Sequence, residues 1–136
     1  MSFHAQNENR QLSSTISSKE STHSNAINAF GALLEKHKGK INFLISPSTS
    51  LEDTFALKLL AKKYNASLFC EHQAYLEGED DELLIRADKS SNFAGMQMLD
   101  INSVASDSCE LLVNINHKNS SEHPNLVNLT THNNSL

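Results

Sequence analysis

Residues 41–70 read INFLISPSTSLEDTFALKLLAKKYNASLFC, and this stretch decides the predicted fold. Two short apolar runs, at 41–46 and 66–70, are typical of strands covered on both faces. Between them, Ser50 followed by Asp53 is the S-x-x-D pattern that caps the start of a helix. A strand, a helix and a second strand within 30 residues predict a βαβ unit with parallel strands.

Apolar residues of the central helix recur at the spacing of one helical face. Leu51, Phe55 and Leu59 form this stripe, which continues to Lys62. Beside it lie Ala56, Leu60 and Lys63. Another helix is predicted at 24–38, with Ser24 as its N-cap and Gly39 as its stop.

Further apolar runs predict strands at 83–85, 110–115 and 126–129, and Met96, Met98 and Leu99 predict one helical turn. Because no hairpin signal separates these runs, we expect an α/β fold: a partial open parallel sheet with flanking helices. No helix pattern follows the last strand, so the domain predicted at 24–136 is expected to be incomplete. Its closing element would come from a continuation of the chain or from a partner.

The first 23 residues have a different composition from the rest. They are dense in Ser, Asn, Gln and His, and their few apolar residues include Phe3, Leu12 and Ile16. Such a segment buries too little apolar surface to offset its ordering entropy. We therefore expect residues 1–23 to be a disordered polar arm.

Charge and cysteine content exclude several classes of function. The net charge is −5 and the 11 basic residues are scattered, which argues against nucleic-acid binding. Cys70 and Cys109 stand alone, without a CxxC pair, so neither a metal site nor an iron–sulfur cluster is expected in this protein. The acidic run at 77–82 lacks the spacing of a calcium-binding loop. No apolar run is long enough to cross a bilayer and no secretory signal is visible, so we expect a soluble, cytoplasmic protein.

Few residues stand where their side chains would serve catalysis or ligand binding. Ser46 follows a predicted strand and precedes a helix, where backbone amides favour an anion. His72 follows the next strand, at the edge where parallel sheets place their ligands. No nucleophile motif, glycine-rich phosphate loop or helical histidine pair is present, so no catalytic residue is assigned.

The most distinctive segment of the sequence is LIRADKSSNFAG at 84–95, and it resembles a known family. The pattern L-I-R-A-D-K-x-x-N-x-x-G resembles a stretch of the large iron–sulfur subunit of bacterial NADH–quinone oxidoreductase, respiratory complex I, within the molybdopterin oxidoreductase superfamily. Residues 44–63 resemble its S-P turn followed by a helix, and residues 127–134 resemble its strand and T-H-x-N turn. In order, these pieces cover about residues 41–134.

The resemblance implies a role in electron transfer from NADH to quinone, but not through cofactors held here. The iron–sulfur clusters of that subunit are expected in domains that this protein lacks. Its partners would be other subunits of a respiratory complex, and it would lie peripherally at the inner membrane through them. The resemblance also implies a loop motif made of Arg86, Asp88, Lys89 and Asn92. At 91–92 the family has Asn-Pro where this sequence has Ser-Asn, which predicts a less rigid turn.

Three hypotheses remain open at this point. In the first, the protein is a fragment or split piece of such a large iron–sulfur subunit, with a structural or docking role and no catalysis of its own. In the second, it is an independent small α/β ligand-binding protein or enzyme, with a site at the strand ends near Ser46, His72 and Arg86. In the third, it is a gene remnant that folds poorly.

Overall fold

The fold is taken from a computed structural model that describes residues 13–17, 19–70, 91–101, 108–116 and 123–129. Three helices and six strands lie in these ranges. In chain order they are β1 (Ser14–Ile16), β2 (Lys19–Ser21), α1 (His23–Lys36), β3 (Ile41–Ile45), α2 (Leu51–Tyr64), β4 (Ser67–Cys70), α3 (Phe93–Met98), β5 (Leu111–Ile115) and β6 (Leu126–Leu129).

Two short strands pair within the segment 1–23, which its composition predicted to be a disordered arm. β1 and β2 pair antiparallel, with Thr15 opposite Glu20, and Ser13 donates a side-chain hydrogen bond to the Glu20 carboxylate at 2.6 Å. The pairing is held by main-chain bonds rather than by apolar burial, so hydropathy gives no signal of it. The prediction for residues 1–12 lies outside the described residues.

The N-cap of α1 lies two residues earlier than the sequence predicted. Its N-cap is Thr22 rather than Ser24, and the Thr22 hydroxyl accepts a hydrogen bond from the Asn25 backbone N–H at 3.3 Å. Thr and Ser are both good caps, so local sequence does not choose between them. The helix ends at Lys36, two residues before the predicted end, and His37 is its C-cap. Gly39 lies in the turn that follows, with a φ of +84°, a backbone conformation that residues with a Cβ rarely adopt.

The βαβ unit at 41–70 is confirmed. Ser50 Oγ accepts from the Asp53 backbone N–H at 3.1 Å and donates to the Asp53 carboxylate at 2.9 Å, which fixes the start of α2. Asn65 ends the helix in the left-handed conformation, at a φ of +51°.

Four parallel strands form the main sheet, in the order β4-β3-β5-β6. The predicted fold class, a parallel sheet with flanking helices, is therefore confirmed. In the register, Phe43 of β3 pairs with Leu68 of β4 and with Val113 of β5. The strand predicted at 83–85 and any element beyond 129 lie outside the described residues.

The two faces of the sheet have different cores because side chains alternate along each strand. One face carries Phe43, Ile45 and Val113, which pack with buried side chains from all three helices. From the helices come Leu34, Ala61, Tyr64, Phe93 and Met96. The other face is a smaller cluster around Leu44, Phe69 and Leu112. The helices thus stand over the larger cluster, and their outer surfaces face away from it.

Candidate functional site

The carboxyl ends of β3 and β5 form the natural binding position of this sheet. From β3 the polypeptide continues to β4 on one side, whereas β5 lies on the other side of β3. Ligands of open parallel sheets bind outside the strand ends at such a point, where the connections diverge. Ser46 follows β3 there, and its N–H donates to the Ile115 carbonyl of β5 at 3.0 Å.

Ser46 is fully buried and its polar groups serve the turn that leaves β3. Its carbonyl accepts from the Thr49 N–H at 3.0 Å, which closes a tight turn around Pro47. Its hydroxyl accepts from the Ser48 N–H at 3.2 Å and lies 2.7 Å from the Ser48 hydroxyl. The Ser46 hydroxyl is therefore occupied by the loop itself, which favours a structural role.

Asn92 meets the same loop, although it is 43 residues away from Thr49 in the sequence. Its backbone N–H donates to the Pro47 carbonyl at 3.0 Å, and its side-chain amide donates to the Thr49 carbonyl at 3.0 Å. The Ser91 hydroxyl also donates to the Pro47 carbonyl, at 3.2 Å. A proline at position 92 would lack the N–H used here, so Asn92 supplies a bond that fastens this turn.

Of the six candidate residues, the structure brings two to one place: Ser46 belongs to the loop at 46–50, and Asn92 is hydrogen-bonded to that loop. The other four, His72, Arg86, Asp88 and Lys89, lie outside the described residues. Residues that sequence reasoning did not single out, Thr49 and Ser91, complete the described part of this site.

Thr49 has the one buried side-chain oxygen in the described part of the protein that lacks a hydrogen-bond partner. The residue is only 7% exposed, and its Oγ1 contacts neither a donor nor an acceptor. A buried hydroxyl in this state costs about 1–3 kcal/mol relative to a satisfied one. Thr49 therefore holds an unsatisfied, uncharged donor and acceptor inside the loop at the strand ends.

The charge at the start of α2 disfavours an anion at this position. Helix N-termini attract phosphate or carboxylate groups through their free amides. Here Glu52 and Asp53 already stand in the first turn, and Asp53 is bonded to the Ser50 cap. Their carboxylates balance the helix dipole and repel a further negative charge. The loop is thus suited to neutral polar groups rather than to a phosphate.

Neither cysteine shows the features of a reactive thiol. Cys70 is buried, Cys109 is half-buried, and they do not form a disulfide. Burial raises the pKa of the Cys109 thiol, which lowers its thiolate fraction. Within the described ranges, no three His, Cys, Asp or Glu side chains are placed to hold a metal ion.

Among the described residues, the largest group of exposed apolar side chains on one helix is on α2 and consists of Leu51, Phe55 and Leu59; we call these three residues the outer stripe. They are 40%, 51% and 55% exposed. The inner side of the same helix buries Thr54, Ala61 and Tyr64 against the sheet. The stripe that the periodicity identified is therefore real. Phe55 and Leu59 point away from the core, whereas Leu51 also packs against Gly95 of α3, where an added Cβ would lie 2.7 Å from Leu51 Cδ2.

Part of the signal for this exposure is present in the sequence. Apolar residues occur all around α2, with Leu57, Leu60 and Ala61 on the sheet side as well as the outer stripe. A helix with apolar side chains on more than one side does not reveal by its pattern alone which side is buried. Among the described residues, one side of α2 is exposed, and hydropathy alone does not predict which side that is.

None of the described helices is long and apolar enough to span a membrane. Comparison of the sequence and structure with protein-family models, with curated proteins and with solved structures found no match.

Proposed function

We propose that this protein is a non-catalytic docking domain and that the outer stripe of α2 is its protein-binding surface. The observation that carries the proposal is the half exposure of Leu51, Phe55 and Leu59 on one side of a helix whose other side is buried in the core. Apolar side chains grouped on a surface mark a binding site more often than scattered ones do.

The stripe has the spacing of a helix-binding ridge. Its members follow one another at intervals of four residues, so they stand above one another on one helical face. Charged side chains border them: Glu52 near the beginning of α2, and Lys62 and Lys63 near its end. An apolar centre with a charged rim is the usual anatomy of a protein interface.

The family resemblance supports a setting for this docking. If the protein is a piece of a large iron–sulfur subunit, it acts within a respiratory complex whose other subunits carry the iron–sulfur clusters. It would then lie on the cytoplasmic side, held at the inner membrane by those subunits. In this setting the protein contributes contacts to NADH-to-quinone electron transfer and no redox group of its own.

The proposal is tested by quantitative co-purification of the tagged protein from its source cells. Leu59→Asp places a charge in the outer stripe, and Ile27→Asp is the matched control because Ile27 is also 55% exposed but lies on α1. We expect iron–sulfur subunits of the respiratory complex to be recovered with the parent protein and with Ile27→Asp, and to be reduced with Leu59→Asp. Equal recovery with all three proteins, or no such subunit with any, would overturn the proposal.

A second candidate function is supported by Thr49. We infer from its buried, unpartnered hydroxyl that the loop at 46–50 is able to bind an uncharged polar molecule at the strand ends. This corresponds to an independent small α/β ligand-binding protein. The carboxylates of Glu52 and Asp53 favour a neutral ligand, because they repel an anion at the same position.

This second function is tested by nuclear magnetic resonance titration of the protein with uncharged polyols and nucleosides. The expected result is saturable shifts at Thr49 and Asn92 that disappear in Thr49→Val, a nearly isosteric change that removes the hydroxyl. Shifts that persist unchanged in Thr49→Val, or no saturable shift with any compound, would reject this site.

A further inference from the structure

We infer that the occupant of the outer stripe is a second copy of this protein, with the two α2 helices packed antiparallel. The inference rests on the proposed function, because it names the partner for the same surface. It follows from two properties of α2: the order of its exposed apolar residues and the distribution of its exposed charges.

The apolar order is the same in both directions along the helix. Leu51, Phe55 and Leu59 give Leu-Phe-Leu at equal intervals, and the outer two are separated by about 12 Å at 1.5 Å per residue. A two-fold axis requires a surface that is complementary to itself. With the axis near position 57, at the middle of α2, Phe55 of each copy packs beside Leu59 of the other, and Leu51 of each copy lies beside the alkyl chain of Lys63.

The charges select the antiparallel arrangement. Glu52 and Asp53 are exposed in the first turn of α2, whereas Lys62 and Lys63 are exposed in its last turn. Two antiparallel helices bring the acidic end of each next to the basic end of the other, and their dipoles oppose one another favourably. Two parallel helices would place like charges together at both ends.

The third lysine of the helix does not disturb this pattern. Lys58 Nζ donates to the Leu99 carbonyl and lies 3.5 Å from the Asp100 carboxylate, so it is engaged with the end of α3. Glu52 of one copy therefore lies near Lys62 and Lys63 of the other copy. One pair of helices buries less than a standard protein interface, so the dimer is expected to be weak.

The first test is sedimentation velocity of the purified protein up to millimolar concentration. We expect reversible dimerisation, weakened about tenfold or more by Leu59→Asp because a symmetric pair loses both anchors at once. Ile27→Asp is expected to dimerise like the parent protein. A protein that stays monomeric throughout, or a dimer that Leu59→Asp leaves unchanged, would overturn the inference.

Charge exchange gives a second test that does not depend on the apolar residues. Glu52→Lys and the double variant Lys62→Glu/Lys63→Glu are each expected to associate more weakly with themselves, and a mixture of the two is expected to form the heterodimer. All three positions are exposed, so the fold is retained even if Leu59→Asp unfolds the protein. A mixture that associates no better than its components would contradict antiparallel pairing.

These measurements separate the two proposals. A monomeric protein whose recovery of respiratory subunits still depends on Leu59 would reject the dimer and keep the docking function. A dimer through the outer stripe, without any respiratory subunit recovered, would support self-pairing and reject the respiratory setting.

Discussion

The side-chain amide of Asn92 donates a hydrogen bond to the main-chain oxygen of Thr49 at 3.0 Å, and this bond links α3 to the loop between β3 and α2. Asn92→Ala removes it and leaves the Thr49 carbonyl without that donor. We expect the free energy of unfolding to fall by about 1 kcal/mol, as measured by urea denaturation. Gln97→Ala, an exposed position on the same helix, is the control and is expected to have almost no effect. Equal effects for the two variants would show that the bond contributes nothing.

Removing the Thr49 hydroxyl is predicted to stabilise the protein, in contrast to the loss of stability expected for Asn92→Ala. Because its buried hydroxyl has no partner, Thr49→Val should raise the free energy of unfolding of the isolated protein by about 1 kcal/mol. Thr54→Val is the matched control, since the buried Thr54 hydroxyl donates to the Ser50 carbonyl at 2.8 Å. Thermal denaturation should therefore show Thr49→Val melting above the parent protein and Thr54→Val below it. The reverse order would mean that the Thr49 hydroxyl is satisfied.

Two phenylalanines test the orientation of α2 within the fold. Phe43 is fully buried at the centre of the sheet, and Phe55 is half exposed on the outer stripe. Phe43→Ala should cost about 3–5 kcal/mol of unfolding free energy, because it leaves a cavity in the core. Phe55→Ala should cost less than about 0.5 kcal/mol in the dilute, monomeric protein. A large loss of stability with Phe55→Ala would place that face of α2 in the core and remove the basis for docking.

Glu110 predicts part of the acid sensitivity of the fold. Its carboxylate accepts hydrogen bonds from Lys40 and from His37 Nδ1, and these bonds hold the pKa of Glu110 below its ordinary value. A carboxyl with a lowered pKa stabilises the folded state above its unfolded pKa, and this contribution is lost as the pH falls through the folded pKa. Glu110→Gln should therefore be less stable than the parent near neutral pH and equal to it in acid. Parallel stability curves across the acid range would contradict this assignment.

Local sequence patterns predicted most of the described fold because their causes are local. Ser50 and Asp53 cap α2 three residues apart, and the strands at 41–45 and 111–115 are largely apolar runs. The pairing of β1 with β2 is not predictable from the sequence because neither hydropathy nor a turn motif marks it. The cap at Thr22 was missed because Ser24 satisfies the same rule.

The candidate site was only partly predictable, since its decisive contacts join distant parts of the sequence. Asn92 was identified through the family resemblance, but its bond to Thr49 depends on how α3 packs against the sheet. The outer stripe was visible as a helical period, yet its direction depends on which side of α2 finds the core. Leu57, Leu60 and Ala61 compete with Leu51, Phe55 and Leu59 for that position, and only packing decides between them.

The claim that α2 carries a docking surface is tested most directly by photo-cross-linking in the source cells from a benzophenone amino acid at position 59. The same amino acid at position 27 is the control for an equally exposed apolar site. We expect a discrete covalent protein adduct from position 59, with peptides of α2 or of a respiratory subunit at the junction, and none from position 27. Equal, diffuse labelling from the two positions would contradict the claim.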